Sequence, residues 1–303
     1  MADPLLELIS RLEDEIQDPD EETFLLYSND IPSQGLGFID SHATVLDLQL
    51  NGRDITIHQS PGVLASSRKG GTTGSVLWKI TPLFAEWLSS PSNILLNTIL
   101  ATSPSSIIEL GCGISPLNAL SLSPKVSRYI LTDQPYVQKL VLQNLAENKP
   151  TAKGGKSKKA GNKSPSPSSS PHNTAADIHF QVLDWETSQV TPSLTNSASA
   201  SSFDAIIACD CVFNYALIQP FVQTCADICK LRQSDNLLEG KQQLPPCLCI
   251  VAQQLRNDDV FNSWLVAFKE HFRVWRIPGE MMPAALRPEA GFVVHIGILK
   301  VSF

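Results

Sequence analysis

Ile107-Ile108-Glu109-Leu110-Gly111-Cys112-Gly113-Ile114-Ser115 reads as a short strand, Ile107 to Leu110, running into a Gly-x-Gly turn. Pro116 to Leu122 then starts a helix, with proline at a position that suits a first turn. Glycines let the backbone turn tightly and let a ligand approach the peptide plane. The N–H groups of the following helix would face that ligand. A turn that binds nothing is the competing reading of so short a motif. The dinucleotide fingerprint needs a third glycine for close helix packing, and Pro116 stands in its place. A pyrophosphate is therefore disfavoured, and with it an NAD-dependent oxidoreductase.

Outward from this stretch the chain alternates strand and helix. Arg128 to Thr132 is a second strand, and Val137, Leu140, Val141, Asn144 and Leu145 share one helical face. Ile178 to Val182 and Phe203 to Cys209 are further strands, Tyr215 to Lys230 is helical, and Cys247 to Gln253 is a fifth strand. Val260 to His271 is a helix before two closing strands, Phe272 to Ile277 and Gly291 to Val301. Repeated β-α-β units predict a parallel sheet covered on both faces. The last two strands have no helix between them and so pair antiparallel. Ahead of this core, Val45 to Leu50, Asn51-Gly52 and then Ile55 and Ile57 predict a hairpin, because a type I′ turn needs φ > 0 twice.

Three segments stand outside the pattern. Residues 1–40 form an acidic N-terminal segment, read as a short amphipathic helix followed by an acidic linker. Nine acids against the single base Arg11 fall in residues 1–22. Lys149 to Thr174 is Lys, Gly, Ser and Pro, and Gln189 to Ser202 is rich in Ser, Thr and Asn. With little to bury, the inserts near 150–175 and 189–202 are expected to be disordered loops within a domain spanning 41–303.

Composition narrows the function. The 303 residues are 43% hydrophobic and 17% charged, enough apolar content for a sizeable core. A net charge of −7 argues against a DNA-binding surface, since phosphate contacts need clustered Lys and Arg. The acidic N-terminus is unlike a secretory signal, and no stretch reaches the roughly 18–20 apolar residues of a membrane helix. Seven cysteines, five of them in strand- or helix-like runs, read as buried free thiols in a reducing, cytoplasmic setting. Cys209-x-Cys211 and Cys247-x-Cys249 lie within strands rather than in the Cys-x-x-Cys knuckles of zinc sites, so no metal is expected. Gly-x-Ser-x-Gly and Walker motifs are absent, which excludes the corresponding hydrolases and ATPases.

The strand ends carry the candidate chemistry. Glu109 beside a backbone-lined turn suits a cationic ligand, and S-adenosyl-L-methionine carries a sulfonium and an ammonium. Asp133, about 20 residues past the glycines, can accept both ribose hydroxyls. Its alternative is a helix N-cap before Pro135, for which Thr132 or Asp133 could serve. At Asp184-Trp185 the acid can accept from an adenine amine while the indole packs on the ring, or the indole can be core.

Glu109-Leu110-Gly111-Cys112-Gly113, Thr132-Asp133, Asp184-Trp185 and Cys209-Asp210-Cys211-Val212-Phe213, in that order, resemble the seven-β-strand protein-lysine methyltransferases. Gly70 to Trp78 resembles their upstream cofactor segment, and Thr72 to Leu88 and Leu131 to Asn148 look most like the fungal ribosomal lysine methyltransferases. The resemblance covers roughly residues 45 to 300 outside the inserts. It implies an α/β fold: a seven-stranded Rossmann-like sheet, mostly parallel with the last strand antiparallel, with the hairpin as an N-terminal extension. It implies S-adenosyl-L-methionine as cofactor, held by Trp78, Gly111, Cys112, Gly113, Asp133, Trp185 and Cys209. Asp210, at the head of the family's Asp-x-x-Tyr motif, is the implied catalytic residue, and Phe213 stands where that motif commonly has tyrosine. Tyr215 lies two residues beyond. Asp210 or the Asn214 carbonyl could hold the acceptor amine. The implied partner is a protein substrate, a lysine of a large-subunit ribosomal protein, with no DNA, no membrane and a monomeric enzyme. The rival readings are an elongation factor or chaperone as substrate, and a non-catalytic binding module on the same fold.

Overall fold

The computed structural model describes residues 3–32, 35–68, 71–95, 105–149, 176–237 and 244–300. The Lys/Ser/Pro insert near 150–175 and Gly70 lie outside the described residues. Two helices, α1 (Pro4–Ile9) and α2 (Pro19–Tyr27), precede the hairpin strands β1 (Val45–Leu50) and β2 (Arg53–His58). The hairpin turns through Asn51 and Gly52, both at positive φ, as the Asn-Gly pair predicts. A one-turn helix α3 (Pro61–Leu64) leads to α4 (Ile80–Ser89), which periodicity alone had not singled out. The core then runs β3 (Ser106–Leu110), α5 (Leu117–Leu122), β4 (Arg128–Asp133), α6 (Gln138–Asn148), β5 (Asp177–Val182) and β6 (Ala205–Cys209). It closes with α7 (Ile218–Asn236), β7 (Leu248–Gln254), α8 (Asp258–His271), β8 (Phe272–Arg276) and β9 (Phe292–Leu299).

Seven strands make one sheet in the order β5-β4-β3-β6-β7-β9-β8. The first five in chain order pair parallel, and β9 lies antiparallel between β7 and β8. Period-two alternation sends Ile108, Leu110, Ile206 and Ala208 to one apolar layer, with Phe221, Trp264 and Phe268 of α7 and α8. Ile107, Ala205 and Ile207 face the opposite layer, with Phe84 and Trp87 of α4 and Leu122 of α5. From β3 the chain builds outward to β5, then returns to β6 on the other flank of β3. The loops after β3 and β6 therefore diverge and leave a crevice, the usual ligand position in such sheets.

The hairpin is tied down by α6. Asn148 exchanges hydrogen bonds with the Thr56 backbone (3.0 and 2.7 Å) and Asn144 with the His58 backbone (2.8 and 2.9 Å). These amides satisfy the free edge of β2, which would otherwise present unpaired peptide groups.

Two expectations need correction. The acidic segment is not a helix followed by a solvated linker. Glu13 and Ile16 donate backbone N–H groups to Arg276 and Val274 carbonyls, so the segment covers the outer edge of β8. Leu8 and Leu26 are buried, and Glu22 accepts from Arg276 Nη1 (3.0 and 3.1 Å) and pairs with His295 Nε2 (3.0 Å). Residues 189–202 also pack instead of extending as a disordered loop. Leu194 and Thr195 are buried, and their carbonyls accept from Gln181 and Arg128. Among the described residues no helix is long and apolar enough to cross a membrane.

Burial pushes the Glu22 carboxyl up, but His295 and Arg276 outweigh it and hold the group below its ordinary value of 4.5. Its stabilising contribution is therefore present above pH 4.5 and lost as pH falls through the depressed value. Glu22→Gln should lower stability at pH 7 by about 3 kcal/mol in urea melts. The gap to the parent should close as the pH drops below 4.5.

Candidate active site

The turn after β3 holds Gly111 (φ 64) and Gly113 (φ 57) in the left-handed region. A Cβ on Gly111 would stand 2.8 Å from Cys211 Sγ and 3.1 Å from the Trp185 ring. A Cβ on Gly113 would stand 2.9 Å from the Gly74 carbonyl oxygen. That carbonyl accepts from Ile114 N–H at 2.9 Å, so the upstream segment is clamped to the glycine turn by main chain alone. Tyr136, after β4, completes the clamp: its hydroxyl oxygen accepts from Gly74 N–H at 2.9 Å.

A cavity of about 290 Å³ opens at this crevice, and all eight residues singled out above line it: Trp78, Gly111, Cys112, Gly113, Asp133, Trp185, Cys209 and Asp210. Phe213 and Asn214 also border it. Tyr215 does not and is 57% exposed. Asn214 instead caps the turn before α7, its Oδ1 accepting from Leu217 N–H at 3.2 Å.

Asp133 is not a helix cap. Its Oδ2 accepts from Gly113 N–H (2.8 Å) and its Oδ1 from Gln134 N–H (2.6 Å). Each oxygen keeps a further lone pair for a ligand. Burial pushes this carboxyl up to about 6, against those two N–H donors. Thr132 turns inward, its hydroxyl donating to the Glu109 carbonyl at 2.7 Å. Glu109 also lines the cavity, 1% exposed, and accepts from Asn118 Nδ2 (2.8 Å) and the Tyr129 hydroxyl (2.7 Å). Burial pushes it up to about 7, more than these neutral donors can offset.

The apolar walls are two indoles. Trp185 lies over the glycine turn and packs 5.1 Å from Phe221. Trp78 donates its indole N–H to the Thr73 carbonyl (3.1 Å) and packs 4.6 Å from Phe38. Burial, reinforced by neighbouring acids, keeps Cys112 and Cys209 as neutral thiols. Among the described residues no group of three or more His, Cys, Asp and Glu is placed to hold a metal ion.

Asp210 differs most from its expected role. It follows β6 at φ 60, and both its carboxylate oxygens accept from Arg256, Nη1 to Oδ1 at 2.8 Å and Nη2 to Oδ2. Its side chain is 2% exposed. Sequence reasoning missed Arg256, Tyr136 and Phe38. Arg256 had one available signal: it stands two residues beyond β7, at the carboxyl end of a core strand, where side chains face the crevice.

The comparisons with known proteins follow this geometry. The ribosomal lysine N-methyltransferase 5 of Zygosaccharomyces rouxii is 31% identical over 232 residues, covering 70% of this chain and 69% of that protein. This chain belongs to that methyltransferase family. The same-named protein of Candida glabrata is 26% identical, covering 84% of this chain and 89% of that one. A diaminohydroxyphosphoribosylamino-pyrimidine deaminase of Schizosaccharomyces pombe is 26% identical over 260 residues, and the chain spans about half (53%) of its length. This chain has no His-x-Glu with Pro-Cys-x-x-Cys, the pattern of zinc-dependent deaminases. No family model matches. Among solved structures, the CurJ carbon methyltransferase aligns at 14% identity with a TM-score of 0.42, covering 74% of this chain and 58% of that one.

The chain is a methyltransferase, and its methyl donor is S-adenosyl-L-methionine. The residues present fit that donor. The turn leaves no room for a Cβ, two acids lacking a cationic partner line the cavity, and indoles form its sides. The donor's positive charge favours ionised Glu109 and Asp133. Affinity for S-adenosylmethionine should therefore rise between pH 6 and 8 in calorimetry. Without ligand the sign reverses. Both folded values lie above the ordinary 4.5 and 3.8, so their stabilising contribution is full below those values and lost as pH rises through about 6 and 7. Glu109→Gln should flatten the upper part of that decline in apo melting curves.

Proposed function

We propose that the chain is an S-adenosyl-L-methionine-dependent protein-lysine N-methyltransferase whose acceptor is a lysine of a large-subunit ribosomal protein. The observation that carries the reading is the match to ribosomal lysine N-methyltransferase 5 over a stretch that includes the cavity-lining residues. In this reading Asp133 accepts the ribose hydroxyls and Trp185 packs on the adenine. The backbone of Gly111 to Gly113 gives the donor close approach. When bound, the donor supplies an electrophilic methyl group on a sulfonium.

The chain's own task is to bring a neutral amine to that methyl at about 3 Å and in line. Phe38, Trp78 and Phe213 offer apolar surface for the lysine stem. Desolvation there lowers the amine's pKa, so no general base is required. The Phe213 ring takes the place of a tyrosine hydroxyl, so the acceptor is held by packing and by the Asn214 region. A lysine stem suits this aromatic surface better than the flat, polar edge of a nucleobase does.

The test is incubation with tritiated S-adenosylmethionine and a lysate from cells lacking the endogenous enzyme. One labelled ribosomal protein is expected, with methyl-lysine recovered after hydrolysis. Label in an elongation factor or a chaperone would move the substrate. Methyl-arginine or methylated RNA would overturn the lysine assignment, and absence of label in every fraction would favour a binding module.

A further inference from the structure

Asp210 lines the cavity, yet its carboxylate is already engaged. Arg256 holds both oxygens in a bidentate pair, and Gln254 N–H adds a third contact at 3.3 Å. Arg256 also reaches the other way. Its Nε donates to the Leu36 carbonyl at 3.2 Å, and its guanidinium lies 4.8 Å from the Trp78 ring centre. Gly35 to Ile39 thus forms a strap over Trp78. Phe38 bridges to Trp78, Lys79 N–H donates to the Gly37 carbonyl (2.8 Å), and Ile39 N–H to the Leu77 carbonyl (3.3 Å). Gly37 sits so close to Arg256 that a Cβ would stand 2.6 Å from Nη2. Leu36 on the strap is 71% exposed, and Phe213, 38% exposed, borders both the main cavity and a smaller one beside Arg256.

We propose that Asp210 is a positioning residue acting through Arg256, and that the pair seats the Leu36–Phe38 strap on Trp78 to form, with Phe213, the wall that guides the acceptor lysine. The proposal rests on the lysine-methyltransferase reading and reassigns Asp210 within it. Electrostatics favours the pairing. An unpaired carboxylate beside the incoming amine would stabilise the ammonium, which cannot attack a methyl group. Neutralised by Arg256, Asp210 can shape the rim without holding the acceptor protonated.

A double-mutant cycle tests this in the full chain. Asp210→Asn and Arg256→Gln should each slow single-turnover methylation by about 10- to 100-fold, the penalty of misplacing a reactant by about an ångström. The double variant should be no slower than the worse single variant, because both remove one unit. Cofactor affinity should change less than about threefold in all three. Hydrogen exchange at the Ile39 and Lys79 amides should accelerate in each. Gly37→Ala, which displaces the strap and leaves the pair's own groups intact, should raise acceptor KM and accelerate the same amides.

If Arg256→Gln methylates at the parent rate while Asp210→Asn does not, Asp210 acts on the acceptor directly and the proposal falls. It also falls if the two losses multiply, or if strap exchange is unchanged in both single variants. Exchange and cofactor binding need no acceptor. A parent enzyme that labels no protein would sink the lysine reading while leaving the strap result readable.

Discussion

Ile114 gives its N–H to Gly74 across a gap too narrow for a side chain on Gly113, and the site is assembled around that contact. Gly113 in turn gives its N–H to Asp133. Asn144 joins the Ile114 carbonyl (2.8 Å) to the His58 carbonyl, bringing the hairpin into the same unit. Each such bond contributes only about 1 kcal/mol, but a buried peptide group left unpaired costs about 1–3 kcal/mol. The hairpin, the upstream segment, the turn after β3 and the end of β4 therefore hold their positions together or not at all.

Within that frame the buried carboxylates divide into two kinds. Glu22 and Asp210 are paired with guanidinium groups, and their role is to hold distant chain segments in place. Glu109 and Asp133 have only neutral donors, and burial holds both above their ordinary values. The second pair lies in the wall of the cavity. A cationic ligand supplies the counter-charge that the protein withholds, so ligand charge and site ionisation are coupled. Such tuning by burial is common where a site must discriminate charge.

The elements read from local chemistry were those whose determinants lie within a few residues of one another. The Asn51-Gly52 turn, the alternation along β3 and β6, and the helical face of α6 all carry their own signal. Partner choice across the chain does not. Glu22 looked solvated because His295 is 273 positions away, and nothing near Asp210 announced Arg256, 46 positions on. Residues 189–202 looked disordered by composition, but one leucine, Leu194, anchors them in the core. The eight site residues were legible as a set because they follow strand ends at the crevice. Their hydrogen-bond partners Tyr129, Asn118 and Arg256 became visible only with the packed structure.

The docking of α1 and α2 onto β8 bears on the order in which the molecule can be made. Those helices leave the ribosome first, yet Arg276, Val274 and His295, which receive them, are among the last residues synthesised. The strap at Leu36 waits in the same way for Arg256. A nascent chain therefore carries an acidic, unseated leader until translation is nearly finished, and its negative charge opposes premature association with other chains. The mouth of the cavity is completed only when the C-terminal strands arrive. A truncated product stopped before β8 would then expose an open sheet edge and lack a seated N-terminus.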